Sequence, residues 1–410
     1  MNSEVLERSQ GSVIRDADVR KGGSPFAWSG VFAMTLCVFA LIASEFLPVS
    51  LLTPMARDLR VSEGLIGYGM AISGAFAVVA SLCIAPFSGS MNRKVLLLAL
   101  TALMGVSGAV VALAQNYETY MIGRALIGVV VGGFWSMSAA VAMRLVPPED
   151  VAKAMAIFNS GNALATVIAA PLGSYLGGVI GWRGAFFCLV PVAAVALVWQ
   201  WVTLPAMQPE KGAPSFRIFF SLFKRSAVSF GMLAVGVFFM GQFVLFTYVR
   251  PYLETVTQVD LPTLSTILLV MGIAGFIGTS LIGLFLKSSV RLVLSVIPLS
   301  MASIAIALVL TGSSVVAAFL LLGLWGLVAT AAPVGWWLWL ARTLPADAEA
   351  GGGLMVATIQ LSIALGSTLG GLLFDGSGYR VTFFTSAALL VIAAGLALAA
   401  TRGNPAEPAL

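Results

Sequence analysis

Two charged residues stand inside stretches that otherwise hold none: Glu45 in "VFALIASEFLPVSLLTP" and Arg124 in "MIGRALIGVVVGG". Of the 17 acidic residues only Glu45 lies well within an apolar run of membrane-spanning length, and of the 22 Lys and Arg only Arg124 does. A charge in hydrocarbon costs at least ~2.5–3.5 kcal/mol on insertion scales, and such residues commonly mark proton or substrate pathways. Burial disfavours a charged carboxylate, whereas a guanidinium beside it favours the charge. A carboxylate balanced between the two can load and release a proton as water access changes. With no His in the chain, Glu45 is the expected proton carrier and Arg124 the group that tunes it. Two static readings compete: a Glu45–Arg124 pair fastening two helices, and Glu45 reaching the outer interface.

Polar side chains at mid-span are otherwise few: Asn159 and Asn162, three apart and therefore on one helix face, with Gln242 and Gln360. Amides offer both donors and acceptors, which suits an uncharged, hydrogen-bonding solute. Phe134, Trp135, Phe246 and Trp336 lie at comparable depth, where flat rings can stack on a planar substrate. The candidate substrate contacts are thus Asn159, Asn162, Gln242 and Gln360, with Trp135 and Trp336 as stacking surfaces. Interhelical hydrogen bonding is the competing role for the amides, and helix packing or lipid contact for the rings.

The elements that must position these residues are membrane helices. Hydrophobic residues make up 59% of the 410 and charged ones 10%, far below the ~25% of a soluble domain. Apolar runs of about 20 residues, each long enough to cross a bilayer, predict twelve helices near 28–50, 64–87, 95–114, 119–142, 154–179, 184–204, 227–249, 262–285, 292–311, 315–340, 351–374 and 381–401. The chain divides into a polar tail (1–27), a six-helix half (28–204), a basic, Pro-containing linker (205–226), a second half (227–401) and a tail (402–410). The first tail has eight charges and no apolar core, unlike a cleavable signal peptide. With the N-terminus inside, 16 basic residues fall in inner segments and five (Arg57, Arg60, Arg183, Arg250, Arg380) in outer loops, so both termini are expected in the cytoplasm. On that orientation Glu45 and Arg124 each sit about five residues from the outer end of a helix, roughly 7–8 Å deep, a depth that permits contact.

The halves repeat. A shift of 197 residues lays "LLTPMARDL" on "YVRPYLETV", with Pro54 over Pro251, and places Gly173 over Gly370, Arg183 over Arg380 and Phe187 over Phe384. A shift of 198 puts Gly128 over Gly326. The loop Pro and Arg matches go beyond the shared composition of apolar helices. Gln242 falls where Glu45 stands and Leu322 near the place of Arg124, so the ionic groups belong to the first half alone. Gly128-xxx-Gly132 and Gly366-xxx-Gly370 are spaced to let helices approach closely.

Several classes are excluded or disfavoured. No G-x-x-x-x-G-K-[ST] loop appears, so an enzyme hydrolysing ATP is not indicated. Cys37, Cys83 and Cys188 lie in apolar runs and suggest neither a disulfide framework nor a metal site. The basic residues are scattered among short loops, which does not suit nucleic acid.

"GRALIGVVVGG", with Arg124, resembles the fourth-helix motif of proton-coupled antiporters in the major facilitator superfamily. "IAAPLGSYLGG" resembles the fifth-helix antiporter motif in Pro171 and Gly173, with Ala170 where that motif has Gly. "GSMNRKVLL" is similar to the loop that forms the cytoplasmic gate, keeping Arg93 and Lys94 but with Asn92 where the pattern favours Asp. Longer strings, among them "EFLPVSLLTPMARDL", "GGFWSMSA", "GQFVLFTYVRP" and "PVGWW", resemble the twelve-helix drug:proton antiporters, in particular their purine-ribonucleoside exporters. The resemblance implies an all-α membrane protein of two pseudo-symmetric six-helix halves. It further implies a monomer in a bacterial inner membrane that exports inosine and guanosine in exchange for protons, without a cofactor. The competing readings are a broader drug or sugar exporter with the same ion chemistry, and a membrane sensor that does not transport.

Overall fold

The computed structural model describes residues 25–88, 91–147, 150–207, 222, 224–287, 289–344 and 348–401. Nearly all of the two expected tails, and residues 208–221 of the expected linker, lie outside this set. All regular structure among the described residues is helical.

The first half contains α1 (Pro25–Leu59), α2 (Glu63–Ser88), α3 (Arg93–Ala112), α4 (Tyr117–Trp135, resumed as Ser138–Arg144), α5 (Val151–Val179) and α6 (Gly181–Phe187 and Leu189–Thr203). The second contains α7 (Ser226–Phe246 and Val249–Thr255), α8 (Leu261–Leu286), α9 (Val290–Leu310) and α10 (Val315–Ala329 and Ala332–Thr343). Its last two helices, α11 (348–377) and α12 (379–401), form one rod, Ala348–Thr401, broken only by the backbone of Gly378. Among the described residues ten spans are long and apolar enough to cross a membrane; Gly351–Thr401 holds two crossings, and α4 completes the twelve. Large apolar side chains stay exposed on the outer faces, among them Trp201, Leu310 and Val316, as lipid-facing surface requires.

Each prediction of a helix holds, but several helices outrun their apolar cores. α1 runs unbroken through Pro48 and Pro54 and ends nine residues past the expected end at 50. Consequently Glu45 lies fourteen residues from the end of its helix and Arg124 seven from the start of its own. The equal depth of about five residues expected from the hydropathy pattern is corrected accordingly. Hydropathy marks where the hydrocarbon ends, whereas the hydrogen-bond ladder runs on into the polar layer.

The internal repeat is visible in backbone and packing alike. Arg60 follows α1 with φ 56° and Gln258 follows α7 with φ 55°; Gly181 joins α5 to α6 at φ 76° and Gly378 joins α11 to α12 at φ 77°. Only glycine enters that left-handed region freely, which accounts for the shared residue at the second joint. Just beyond it, Arg183 lies over the ring of Trp182 and Arg380 over that of Tyr379. Trp182 meets Phe186 edge-on at 6.4 Å, and Tyr379 meets Phe383 edge-on at 6.1 Å. Gly128 of α4 abuts the Ser73 carbonyl of α2, and Gly326 of α10 abuts the Met271 carbonyl of α8; a side chain at either glycine would overlap that oxygen.

Within the first half α1 packs on α5 and α6, and α2 on α4; within the second α7 packs on the α11–α12 rod, α8 on α10, and α9 on that same rod. Two seams join the halves, α2 against α11 and α5 against α8. The side where α1 ends and α2 begins is termed distal, and the opposite side proximal.

Candidate functional site

The site begins with the two prolines of α1. A helical carbonyl at position i accepts the amide of i+4, and proline has no amide to give. Pro48 therefore releases the carbonyl of Ser44, and Pro54 that of Ser50. Buried carbonyls need partners, and two arginines supply them.

Arg124 is 1% exposed. Its Nη1 donates to the Ser44 carbonyl at 2.9 Å, its Nη2 to the Glu45 carbonyl at 3.1 Å, and its Nε to the Gly69 carbonyl of α2 at 3.1 Å. On the same face of α4, the Tyr120 hydroxyl donates to Ile66 O and the Tyr117 hydroxyl to Leu65 O, each at 3.0 Å. α4 thus holds α1 and α2 by their backbones. The expected contact between Glu45 and Arg124 exists, but it runs through the Glu45 carbonyl. No carboxylate–guanidinium ion pair forms; the guanidinium fork is filled by carbonyls, and the carboxylate is held by the other half of the molecule.

That holding group is Gln360 of α11, whose Nε2 donates to Glu45 Oε1 at 3.2 Å. Both residues are buried, at 6% and 5% exposure. Gln360 Oε1 has no hydrogen-bond partner. The position of Gln360 is set by Gly74 of α2, where a Cβ would lie 2.6 Å from the Gln360 carbonyl oxygen. A carboxylate of the first half and an amide of the second thus meet where the halves touch.

Next to Glu45 an aromatic cluster crosses the same junction. Phe46 stacks on Phe243 of α7 at 5.9 Å and meets Phe246 edge-on at 6.4 Å. Gln242, half-buried beside Phe243, has a buried Oε1 without a partner. Phe46 and Phe243 did not stand out in the sequence, because single Phe residues in apolar helices carry no signal.

The remaining candidates are placed as follows. Asn162 is half-buried, while Asn159 is exposed and its amide donates to Met155 O of its own helix at 2.8 Å. Trp135 is half-buried and edge-on to Phe158. Trp336 is 1% exposed, enclosed by Phe238 and Trp339. It belongs to the core of the second half and offers no stacking face in this conformation, because Phe238 of α7 and Trp339 of its own helix pack against its ring. At the proximal end Asn92 caps α3, its Oδ1 accepting from Lys94 N and Met207 N at 3.0 Å each, while Arg93 N donates to Met207 O at 2.9 Å. Asn92 thus ties the start of α3 to the end of α6 without a charge.

The distal side is shut. Arg250 of α7, which the sequence placed in a loop, crosses to α1 and donates to the Ser50 carbonyl released by Pro54, and to Ser174 Oγ of α5 at 3.3 Å. Glu254 pairs with Arg250 at 2.8 Å from the next turn. Asp375 of α11 accepts from Ser62 Oγ, and from Gly64 N at 3.2 Å, at the start of α2, where an anion complements the helix dipole. Every described hydrogen bond between the halves lies at the level of Glu45 or distal to it.

Residues 34–352 match the Major Facilitator Superfamily. The chain is 63% identical over 382 residues to a Pseudomonas aeruginosa protein named "Transcription regulatory protein OpdE", covering 92% of this chain and 95% of that one. It is 39% identical over 378 residues to the "Purine ribonucleoside efflux pump NepI" of Salmonella enteritidis, with the same two coverages. Among solved structures it shares its fold with an inward-facing, unoccupied bacterial homologue of the lysosomal transporter Spinster, at a TM-score of 0.77 and 16% identity over 93% of this chain and 98% of that one. A D-xylose–proton symporter superposes at 0.74 with 17% identity, over 92% and 97% of the two chains.

Proposed function

Because this chain belongs to the Major Facilitator Superfamily and is a membrane-spanning transporter, we propose that it exports purine ribonucleosides, inosine and guanosine among them, in exchange for protons. The observation that carries the coupling is a buried Glu45 at the junction of the halves, with Gln360 as its side-chain partner. The substrate class is supported by the 39% identity, across 92% of the chain, to the named efflux pumps.

In this proposal the distal side faces outward, following the excess of basic residues in proximal segments, and the membrane is the bacterial inner membrane. Glu45 takes up a proton when the distal side is open. Protonation favours the return of the empty site inward, and substrate binding there favours release of the proton. The base stacks against Phe46 and Phe246, with Gln242 and Asn162 offering hydrogen bonds to base or ribose. An amide with a free, buried acceptor suits an N–H or O–H of an uncharged nucleoside. Arg93 and Lys94 act at the inner gate. Arg124 serves by holding α1, so that the Glu45 backbone stays fixed while its carboxyl titrates.

A second reading is favoured by the name of the 63% identical relative: an influence on transcription. A transporter can exert it without touching DNA, by removing a small effector from the cell.

Proton-gradient-driven uptake of labelled inosine into inside-out vesicles tests the proposal. Accumulation by the native protein, lost on dissipating the gradient, is the expected result. No uptake of inosine or guanosine, with uptake of drugs or sugars by the same vesicles, would overturn the substrate assignment.

A further inference from the structure

Both residues of the Glu45–Gln360 contact have pinned backbones. Glu45 is held by Arg124 through its own carbonyl and that of Ser44. Gln360 is held by the approach of Gly74, close enough that a methyl group would not fit. What remains adjustable between them is the proton. When the carboxyl is ionised, Gln360 Nε2 donates to Glu45 Oε1, and Gln360 Oε1 stays buried without a donor. An orphaned buried acceptor beside a carboxylate opposes the closed junction. When the carboxyl takes up a proton, its O–H can donate to that same Oε1 while the existing bond is kept. The result is a two-point acid–amide pair in which the orphaned Gln360 Oε1 gains a donor.

We propose that Gln360 is the positioning residue that converts protonation of Glu45 into closure of the distal side. The two partners sit on opposite halves, so a second bond between them favours the conformation in which the halves meet there. The inference deepens the antiport reading and rests on Glu45 as its proton carrier, though not on any particular substrate. It supplies the direction of coupling: a proton taken from outside draws the empty carrier shut on that side.

The charged group packed beside Glu45 is Arg124 of α4; α11 presents Gln360, and α7 packs Phe243 and Phe246 on the adjoining Phe46. Elsewhere on the junction the titratable and charged groups include Asp375, with Tyr68 and Tyr248 near it, and the Arg250–Glu254 pair, with Arg57 of α1 near Arg250. Asp375 and Glu254 work as acceptors, so their protonation loosens the distal side. The sign of the pH effect therefore separates them from Glu45.

Hydrogen exchange of segments 50–59 and 248–255 in purified, substrate-free protein reads the distal closure directly. In an Asp375→Asn background, protection is expected to rise roughly tenfold or more from about pH 8 to about pH 5.5. Gln360→Met, similar in size but unable to pair, should abolish this rise. Glu45→Gln, whose amide makes the same two-point pair with Gln360 at any pH, should be closed throughout. Protection that falls with acid, or that still rises in Gln360→Met, overturns the proposal; should Gln360→Met fold poorly, a rise with acid that survives in Glu45→Gln does the same. A protein that closes as expected but fails to move inosine would refute the substrate and leave this inference standing.

Discussion

Arg250 of α7 donates to the backbone carbonyl of Ser50 in α1, the oxygen that Pro54 leaves without an amide. A proline in one half thus creates the acceptor that an arginine of the other half fills. Its pseudo-symmetric counterpart is Thr53, a neutral residue whose hydroxyl has no partner, so the latch exists once. Charge-assisted hydrogen bonds contribute about 1.5–3 kcal/mol, and Arg250→Ala is expected to shift the protein toward the distal-open state by that order. Pro54→Ala restores the amide and satisfies Ser50 within its helix. The effect of Arg250→Ala should therefore shrink in that background, and labelling of cysteines placed near residues 50–59 would reveal it. Equal effects in both backgrounds would show that the latch acts through other contacts.

Glu45→Gln is expected to abolish proton-driven accumulation of inosine and, by favouring the closed distal side, to slow exchange of labelled for unlabelled inosine across the membrane as well. A neutral amide keeps the shape and the bond to Gln360 but cannot carry a proton. Vesicle uptake with and without a gradient separates the two activities. Unchanged accumulation at equal expression would move the proton site elsewhere.

Arg124 satisfies three carbonyls on two helices, so Arg124→Ala should first lower stability, by about 2–3 kcal/mol as for other buried charged hydrogen bonds. Lysine lacks the fork and should recover only part of it. Pro48→Ala returns an amide to Ser44 and is expected to soften the loss. Thermal unfolding in detergent measures all three variants; a stable Arg124→Ala protein with lost coupling would instead favour a direct electrostatic role.

Gln242 has an unpartnered acceptor beside the Phe46–Phe243–Phe246 cluster. Gln242→Leu is expected to raise KM for inosine roughly tenfold, about the cost of one hydrogen bond to an unpaired polar group, with the pH dependence of distal closure unchanged. Phe246→Ala should raise KM as well, by the loss of stacking. Competition assays with nucleosides lacking the relevant donor identify which atom Gln242 reads.

Gly74 lies where α2 and α11 cross at the junction. A branched side chain there would wedge the halves apart, so Gly74→Val is expected to hold the distal side open without unfolding either half. Gly128→Val, by contrast, intrudes on the Ser73 carbonyl within one half and should reduce folded yield. Hydrogen exchange and gel-filtration recovery distinguish the two outcomes.

Length, apolarity and the 197-residue shift in the chain already contain twelve helices in two related halves, because a bilayer demands apolar runs of set length and a duplicated half keeps its turn residues. The same reading finds Glu45 and Arg124, since charges in such runs are rare enough to stand out. It cannot say what they touch. Whether a guanidinium takes a carboxylate or a carbonyl depends on which carbonyls lack amides, and on which helix faces which. Tertiary structure decided that Arg124 serves the backbone of α1, that Glu45 turns to Gln360, and that Arg250 closes the distal side. It also decided that Trp336 is core and Phe46 junction. Pro48 and Pro54 were plain in the chain throughout, yet the oxygens they release acquire meaning only where an arginine from another helix arrives to meet them.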